Sequence, residues 1–391
     1  KEGSNALGAF VVRDELTNLV LPGSQWSRSE QLEEPVTGAV VRYRMDLASA
    51  STVGLILTNR ESNDYYNRVG GVDGNLRLTP SDRLSFQVLC SKTDYADAFA
   101  DSMGQPDGEF DGMAYDVEYN HDSGSFDWWL AYREIEEEFR ADMGFSPQSG
   151  FRQGRTGWSH TWRAEAGHWY TALNSGFGYV HKEERDGDPL ESSFDGWLNY
   201  SGPMRSSVDL YGVWGTRNFY GEDYDNRYVR ASASLWPTGS TWVRLQSTVG
   251  DAIDVVHGRE ADRVYLDGLV NFKVAKRLDV LVEQEYERLD VPNGRLYSAN
   301  ITYLRTAYQF TRRASLRAIL QHVDYGFNSD LYWNGRSRRS HFASQVLFSY
   351  KLNPQTVLYA GYSDNHLGND DTNLTQNDRT FFAKIGYAWV L

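Results

Sequence analysis

The sequence predicts an all-β transmembrane barrel, and three observations carry that expectation. Side chains alternate between apolar and polar with a period of two in segment after segment, connections alternate between short and long, and no stretch reaches the roughly 20 apolar residues that a membrane helix requires. Inside a bilayer the backbone must satisfy its own hydrogen bonds, so a chain without such a helix crosses only as a closed sheet. Composition agrees. Of 391 residues, 40% are hydrophobic and 14% aromatic, with 25 Tyr and 12 Trp, yet mean hydropathy is negative. Only alternate residues of a barrel strand face lipid, which keeps the average polar, and an excess of Tyr and Trp reads as interfacial girdles.

The first strand is expected near Asn5 to Asp14. From Val40 to Leu47, Val41, Tyr43, Met45 and Leu47 form one face while Val40, Arg42, Arg44 and Asp46 form the other. Met113, Tyr115, Val117 and Tyr119 oppose Ala114, Asp116, Glu118 and Asn120. Phe126, Trp128, Leu130 and Tyr132 oppose Asp127, Trp129, Ala131 and Arg133. The same division sets Val243 and Leu245 against Arg244 and Gln246, and Leu278, Val280 and Val282 against Asp279, Leu281 and Glu283. It sets Leu316, Ala318 and Leu320 against Arg317, Ile319 and Gln321, and Phe342, Val346 and Phe348 against Ala343, Gln345 and Leu347. The last strand alternates Phe381, Ala383, Ile385, Tyr387, Trp389 and Leu391 against Phe382, Lys384, Gly386, Ala388 and Val390.

Short turns are expected at Ala48 to Ser51, Thr79 to Asp82, His121 to Gly124, Glu165 to His168, Gly202-Pro203, Pro237 to Gly239, Ala275 to Arg277, Thr311 to Arg313 and Asn353-Pro354. Between them lie longer polar stretches: Asp94 to Asp111, Glu134 to Arg152, Lys182 to Glu191, Asn218 to Asp225, Asp251 to Asp262, Gly326 to Arg338 and Asp364 to Asp378. Short turns face the periplasm and long loops the exterior in barrels of this kind. The count is about 20 strands, within 18 to 22, in a single domain over residues 1–391. Phase slips between Tyr297 and Phe310, which suggests a bulge there. With strands about 4.8 Å apart and tilted about 40°, 20 strands enclose a backbone diameter of roughly 40 Å, too wide for side chains to fill. Water, inward loops, a plug or a partner must occupy the lumen. The chain opens at Lys1-Glu-Gly-Ser without a signal peptide, which implies a processed chain or a fragment with residues or a domain upstream.

Four motifs compress into a resemblance. Leu7-Gly-Ala-Phe-Val-Val-Arg-Asp, Ser51-Thr-Val-Gly-Leu-Ile-Leu-Thr-Asn-Arg-Glu-Ser, Asn67-Arg-Val-Gly-Gly-Val-Asp and Met143-Gly-Phe-Ser-Pro-Gln-Ser-Gly-Phe-Arg resemble the barrel domain of a widespread Gram-negative outer-membrane family of unknown function. Members of that family often carry an N-terminal family-9-type carbohydrate-binding module, which implies a link to saccharides. The stretch from Gly154 to Arg379 matches only in style. At the carboxyl end, Lys384, Gly386, Trp389 and Leu391 resemble the sorting signal read by the barrel-assembly machinery.

Candidate chemistry is sparse. The single cysteine, Cys90, excludes an internal disulfide framework and reads as a small lipid-facing residue. A formal charge of -14 argues against a nucleic-acid partner, which would need basic stripes. Acidic runs at Glu134 to Glu138, Glu183 to Asp188 and Glu222 to Asp225 read as solvated loops, with calcium or bridging to lipopolysaccharide as the competing uses. Ser159-His160 raises a hydrolase, which needs an orienting acid and an oxyanion donor besides. No metal site, no cofactor and no catalytic residue is expected. The inward candidates are Arg42, Arg44, Asp116, Glu118, Trp129, Arg133, Trp242, Arg244, Tyr265, Glu283, Arg317 and Gln345, where aromatic rings beside polar groups suit a passing sugar or an inward plug. The leading expectation is a non-enzymatic outer-membrane pore or translocation scaffold, with saccharides as the preferred cargo. A structural sheath around a cytochrome or surface-appendage partner is the alternative, and a hydrolase comes third.

Overall fold

The computed structural model of the chain describes residues 3–32, 34–275, 277–332, 337–353 and 355–387. Its strands run in chain order as β1 (Asn5–Asp14), β2 (Thr17–Pro22), β3 (Ser27–Leu32), β4 (Val36–Asp46), β5 (Thr52–Glu61), β6 (Tyr66–Arg77), β7 (Asp82–Asp94), β8 (Phe110–Asp122), β9 (Phe126–Ile135), β10 (Phe151–Arg163), β11 (Ala172–Glu184) and β12 (Pro189–Gly202). They continue as β13 (Ser206–Phe219), β14 (Glu222–Asp225), β15 (Tyr228–Thr238), β16 (Thr241–Asp254), β17 (Arg259–Val274), β18 (Leu278–Val291), β19 (Gly294–Gln309), β20 (Ala314–Phe327), β21 (Arg338–Asn353), β22 (Thr356–Asn369) and β23 (Thr375–Tyr387). One α-helix, α1 (Asp97–Met103), follows β7, and no described helix is long and apolar enough to cross a membrane.

All strands but β2 and β3 belong to one 21-stranded antiparallel sheet, while β2 and β3 pair with each other. Setting aside the four-residue β14, the sheet contains twenty strands of ten residues or more, which is the barrel the alternation predicts. The residues group into two compact units. One comprises Lys1–Thr161, Gly176–Gly196 and Gly215–Asp223; the other comprises Trp162–Ser175, Trp197–Trp214 and Tyr224–Leu391. In the first, β4 takes β1 on one edge and β5 on the other, and pairing continues strand by strand to β10. In the second, β13 pairs with β15 and each later strand with its successor through β23.

The two faces of the sheet divide as the period of two requires. Leu57 on β5, Leu130 on β9, Leu245 on β16 and Ile385 on β23 are 59%, 58%, 59% and 71% exposed, a pattern that would be costly in water and is favourable against lipid. Trp128 and Trp158 sit directly opposite each other on that outer face near the turn after β8, with Tyr119 tilted against Trp128 at 4.9 Å, the start of a girdle. Cys90 is exposed on the same face. The inner face carries the buried side chains, among them Val69, Ser91, Ala114, Ala131, Asp267 and Leu269.

Four features differ from the expectation. The stretch between β1 and β4 folds as the β2–β3 hairpin, because Thr17, Leu19 and Leu21 alternate as buried residues and have an apolar cluster to face. Lys182 to Glu191 and Asp251 to Asp262 are mostly strand, leaving tight turns after Glu184 and Asp254. The register shift near β19 lies at its start, between Leu289 and Asp290 of the partner strand, since buried Leu296 turns into the cluster of Ala261, Leu289 and Val291. Trp389 and Leu391 lie outside the described residues, as do Lys276 and Pro354 of two expected turns.

Gly112 shows how tightly the β9–β10 connection packs on the inner face. A Cβ there would stand 2.4 Å from the Phe139 backbone nitrogen, which cannot yield as a flexible side chain can. Gly112→Leu is therefore expected to undock residues 136–150 at a cost of about 2 kcal/mol. Limited proteolysis by a glutamate-specific protease checks this, with faster cleavage in the variant and unchanged strand content by circular dichroism.

Candidate functional site

At the end of the sheet bearing the longer connections, chain from three places converges on the inner face of the first unit. Tyr65, just before β6, and Tyr95, just after β7, stack in parallel with ring centroids 5.5 Å apart. Both are almost fully buried, packed by Leu19 and Leu21 of the hairpin and by Val36, Ala100 and Phe110. Their hydroxyls donate to one acceptor, Oδ2 of Asp142 in the β9–β10 connection, at 2.6 and 3.1 Å. Asn67 braces the same segment: its Oδ1 accepts from the Asp142 backbone N–H at 3.0 Å, and its Nδ2 donates to the Arg140 carbonyl and to Thr93. Arg60 donates to the Asp142 carbonyl, and Met143 lies against Gly38, where a Cβ would collide with its sulfur. The neighbouring motifs around Arg60 and Asn67 thus meet the distant one around Met143 at one clamp.

The hairpin extends from this clamp. At its tip, Gln25 Nε2 donates to Asn218 Oδ1 at 3.3 Å and Gln25 Oε1 accepts from the Tyr220 N–H at 2.9 Å, while Trp26 meets the Tyr220 ring edge-on at 5.0 Å. Gln148 donates to the Gln25 carbonyl at 2.9 Å, and Lys182 of β11 donates to Gln148 at 2.9 Å. The hairpin leaves the sheet between β1 and β4 and binds at the end of β13, nine strands further along the chain.

The remaining inner face is an ion-pair lattice. In the first unit, Arg42 forms a two-pronged pair with Asp73, Arg44 reaches Asp46 at 3.1 Å, and Arg133 reaches Asp116 at 2.5 Å. Glu118 accepts from Asn120 at 2.7 Å and has Arg155 at 3.9 Å. Trp129 lies flat over Gly157, directly opposite, where a Cβ would be 2.2 Å from the indole; glycine is required because the ring occupies its side-chain space. In the second unit, Arg244 bridges Asp267 at 2.7 Å and Glu283 at 2.8 Å and lies 5.9 Å from the Trp242 ring. Tyr265 donates to Glu285 at 3.4 Å. Arg317 lines a hollow of about 500 Å³ with Lys273, Arg277 and Asp279, and Gln345 faces Ser363 across β22.

A second hollow of about 470 Å³ in the same unit is walled by Tyr265, Tyr297, Tyr325, Phe327 and Tyr332, with Glu285, Glu287 and Arg339. Of these only Tyr265 is among the inward candidates. Alternation alone places Glu285 and Glu287 on the face of Glu283, and that signal was available in the sequence. The clustering of rings across four strands depends on register and was not.

The other sequence candidates separate. Ser159 is buried and its hydroxyl donates to Asp127 at 3.4 Å, but His160, the next residue of β10, points to the opposite face, so the two form no dyad. Glu134 and Glu136 pair with Arg185 at 3.3 and 3.2 Å, and Glu183 with Arg152. Glu184, Asp186 and Asp188 gather in an exposed turn. Lys384 and Gly386 lie on β23 opposite Tyr359 and Val357.

No family model and no curated protein matches the chain. Solved structures resemble it at low identity. A ferric enterobactin receptor mutant from Pseudomonas aeruginosa, in complex with enterobactin, is 11% identical over 92% of this chain and 75% of its own, with a TM-score of 0.46. The alcaligin outer-membrane receptor from Bordetella pertussis is 9% identical over 96% and 75%, with a TM-score of 0.48. OmpT, an outer-membrane protein of Vibrio cholerae, is 10% identical over 100% and 99%, with a TM-score of 0.29. These scores are too low to carry an argument, and the barrel assignment stands on strand pairing and the lipid-facing pattern.

Two outcomes follow from the electrostatics. Burial between the two tyrosines pushes the Asp142 carboxyl above the usual carboxylate range, against the hydrogen bonds from Tyr65 and Tyr95 and the nearby Arg60 and Arg140. The docked segment therefore binds this proton more tightly than the unfolded chain does. Its contribution to stability is full below about pH 4 and falls as pH rises through the elevated folded value. Protease sensitivity of residues 136–150 should rise over that window, and Asp142→Asn should flatten the profile. Separately, Arg244→Ala strands buried Asp267 beside Glu283 and should destabilise the folded protein by about 2 kcal/mol, measured by denaturant unfolding in detergent.

Proposed function

We propose that this outer-membrane barrel is a pore or translocation scaffold for hydrophilic solutes, saccharides foremost, whose mouth is narrowed by its own β2–β3 hairpin. The carrying observation is the hairpin's attachment: it leaves between β1 and β4 and binds at Asn218 and Tyr220, nine strands on. Within the first unit the hairpin thus spans from β4 to the end of β13 and rests on Gln148 of the β9–β10 connection, which Lys182 of β11 holds in turn. The β9–β10 segment, held by Asp142, supports it from beneath. Paired charges along the strands offer hydrogen bonds to a hydrated solute while leaving little net field. Rings set among those charges give the apolar faces on which a sugar can slide.

A sheath for a folded partner needs an unobstructed mouth, so the hairpin favours passage of small or extended solutes. Enzymatic function receives no support from Ser159 and His160, which face opposite ways. Contact with the bilayer, with lipopolysaccharide at the exposed acidic turns and with the barrel-assembly machinery belongs to the same reading.

Conductance in planar bilayers tests it. The native chain should pass ions at a low level, and Gln25→Ala combined with Trp26→Ala should raise single-channel conductance severalfold by releasing the tip. Equal conductance of native and variant protein would contradict the hairpin's role, and silence from both would contradict the pore.

A further inference from the structure

The ring-walled hollow of the second unit has a definite origin in register. Tyr265, Glu287, Ala299, Tyr325 and Arg339 form one transverse row, each directly opposite the next across β17 to β21. Ala299 at the centre of that row is the only small side chain in it, so the wall dips there, and its burial shows the dip is roofed by neighbours. Tyr297 and Phe327 face each other in the adjoining row, and Phe327 stacks with Tyr325 at 5.8 Å and Tyr332 at 4.9 Å.

Charge around the hollow is unbalanced at one end. Glu287 is satisfied, accepting from Arg263 at 3.1 Å and from the Tyr297 hydroxyl at 2.9 Å. Among the described residues Glu285 receives only the long contact from Tyr265 at 3.4 Å, and it stands directly opposite Asp267. Asp267 is 4% exposed, and its Oδ1 has no hydrogen-bond partner among the described residues. One guanidinium, Arg244, serves both Asp267 and Glu283. Two carboxylates thus share one cation and Glu285 has no cationic partner among the described residues, while Arg339 stands at the far end of the hollow. Surplus negative charge in a partly desolvated wall lined with aromatic faces favours a ligand that brings a positive charge.

We infer that this hollow binds an amine-bearing saccharide unit. The pyranose lies on the rings above Ala299, its ammonium is directed to Glu285, and its hydroxyls reach Arg339. The inference rests on the saccharide reading above and adds the charge of the cargo. Isothermal titration of the folded full chain in detergent, at mildly acidic pH, with the glucosamine trisaccharide, the neutral glucose trisaccharide and spermidine separates the two. The glucosamine trisaccharide should bind about tenfold more tightly than either comparator. Glu285→Gln should erase the preference over the neutral sugar, and Ala299→Trp should fill the hollow and remove binding of all three. A heat-modifiable gel shift verifies that each variant is folded. Equal affinity for the neutral sugar would overturn the charge assignment and leave the saccharide reading standing. Equal affinity for spermidine would overturn the saccharide assignment, and no binding of any probe to the native chain would overturn the site.

Discussion

Backbone hydrogen bonding in a medium without water is the constraint on which this architecture depends. Each unpaired N–H or C=O in a bilayer costs several kcal/mol, so every strand between the interfaces needs a neighbour on both edges. That requirement explains why twenty long strands follow one another with few irregular residues between them, and why β4 is flanked by both β1 and β5. It also fixes composition. Once the backbone is satisfied within the sheet, one face is free to match lipid and the other to match whatever fills the lumen.

The inner face then inherits a problem of its own. A sheet of this size encloses more space than side chains can fill, and charges facing it are partly removed from bulk water. The chain answers with pairs such as Arg42 with Asp73 and Arg133 with Asp116, each partly exposed and individually worth little, and with glycines such as Gly157 that let Trp129 lie flat. At the end with longer connections it answers differently, by folding its own chain inward. Tyr65, Tyr95, Asn67 and Arg60 are anchors for the β9–β10 segment and the hairpin, and all four are buried.

The fold was legible because its signal is local and repeated. Alternation at Val41 to Leu47 or Phe126 to Arg133 needs no knowledge of partners, and any one strand misread changes the count by little. The hairpin was missed because Thr17 to Leu32 is short, carries Pro22 and Gly23 at its bend, and alternates against a cluster that exists only in the folded chain. Asp142 was missed for a related reason: one acid in a polar loop looks solvated until Tyr65 and Tyr95, some 50 to 80 positions earlier, are seen to enclose it. Parity sets Trp129, Arg244 and Glu283 on the polar face of their strands, but their partners Gly157 and Asp267 depend on register, which one sequence does not supply.

Everything proposed for the mouth depends on the hairpin reaching the end of β13 in the membrane-embedded protein. Disulfide trapping tests it most directly, with Gln25→Cys and Asn218→Cys introduced together in a Cys90→Ala background and oxidised after folding into the outer membrane. An intramolecular crosslink should form rapidly, visible as a mobility shift that reductant reverses. Failure of the two cysteines to join, while each still reacts singly with a soluble thiol reagent, would contradict it.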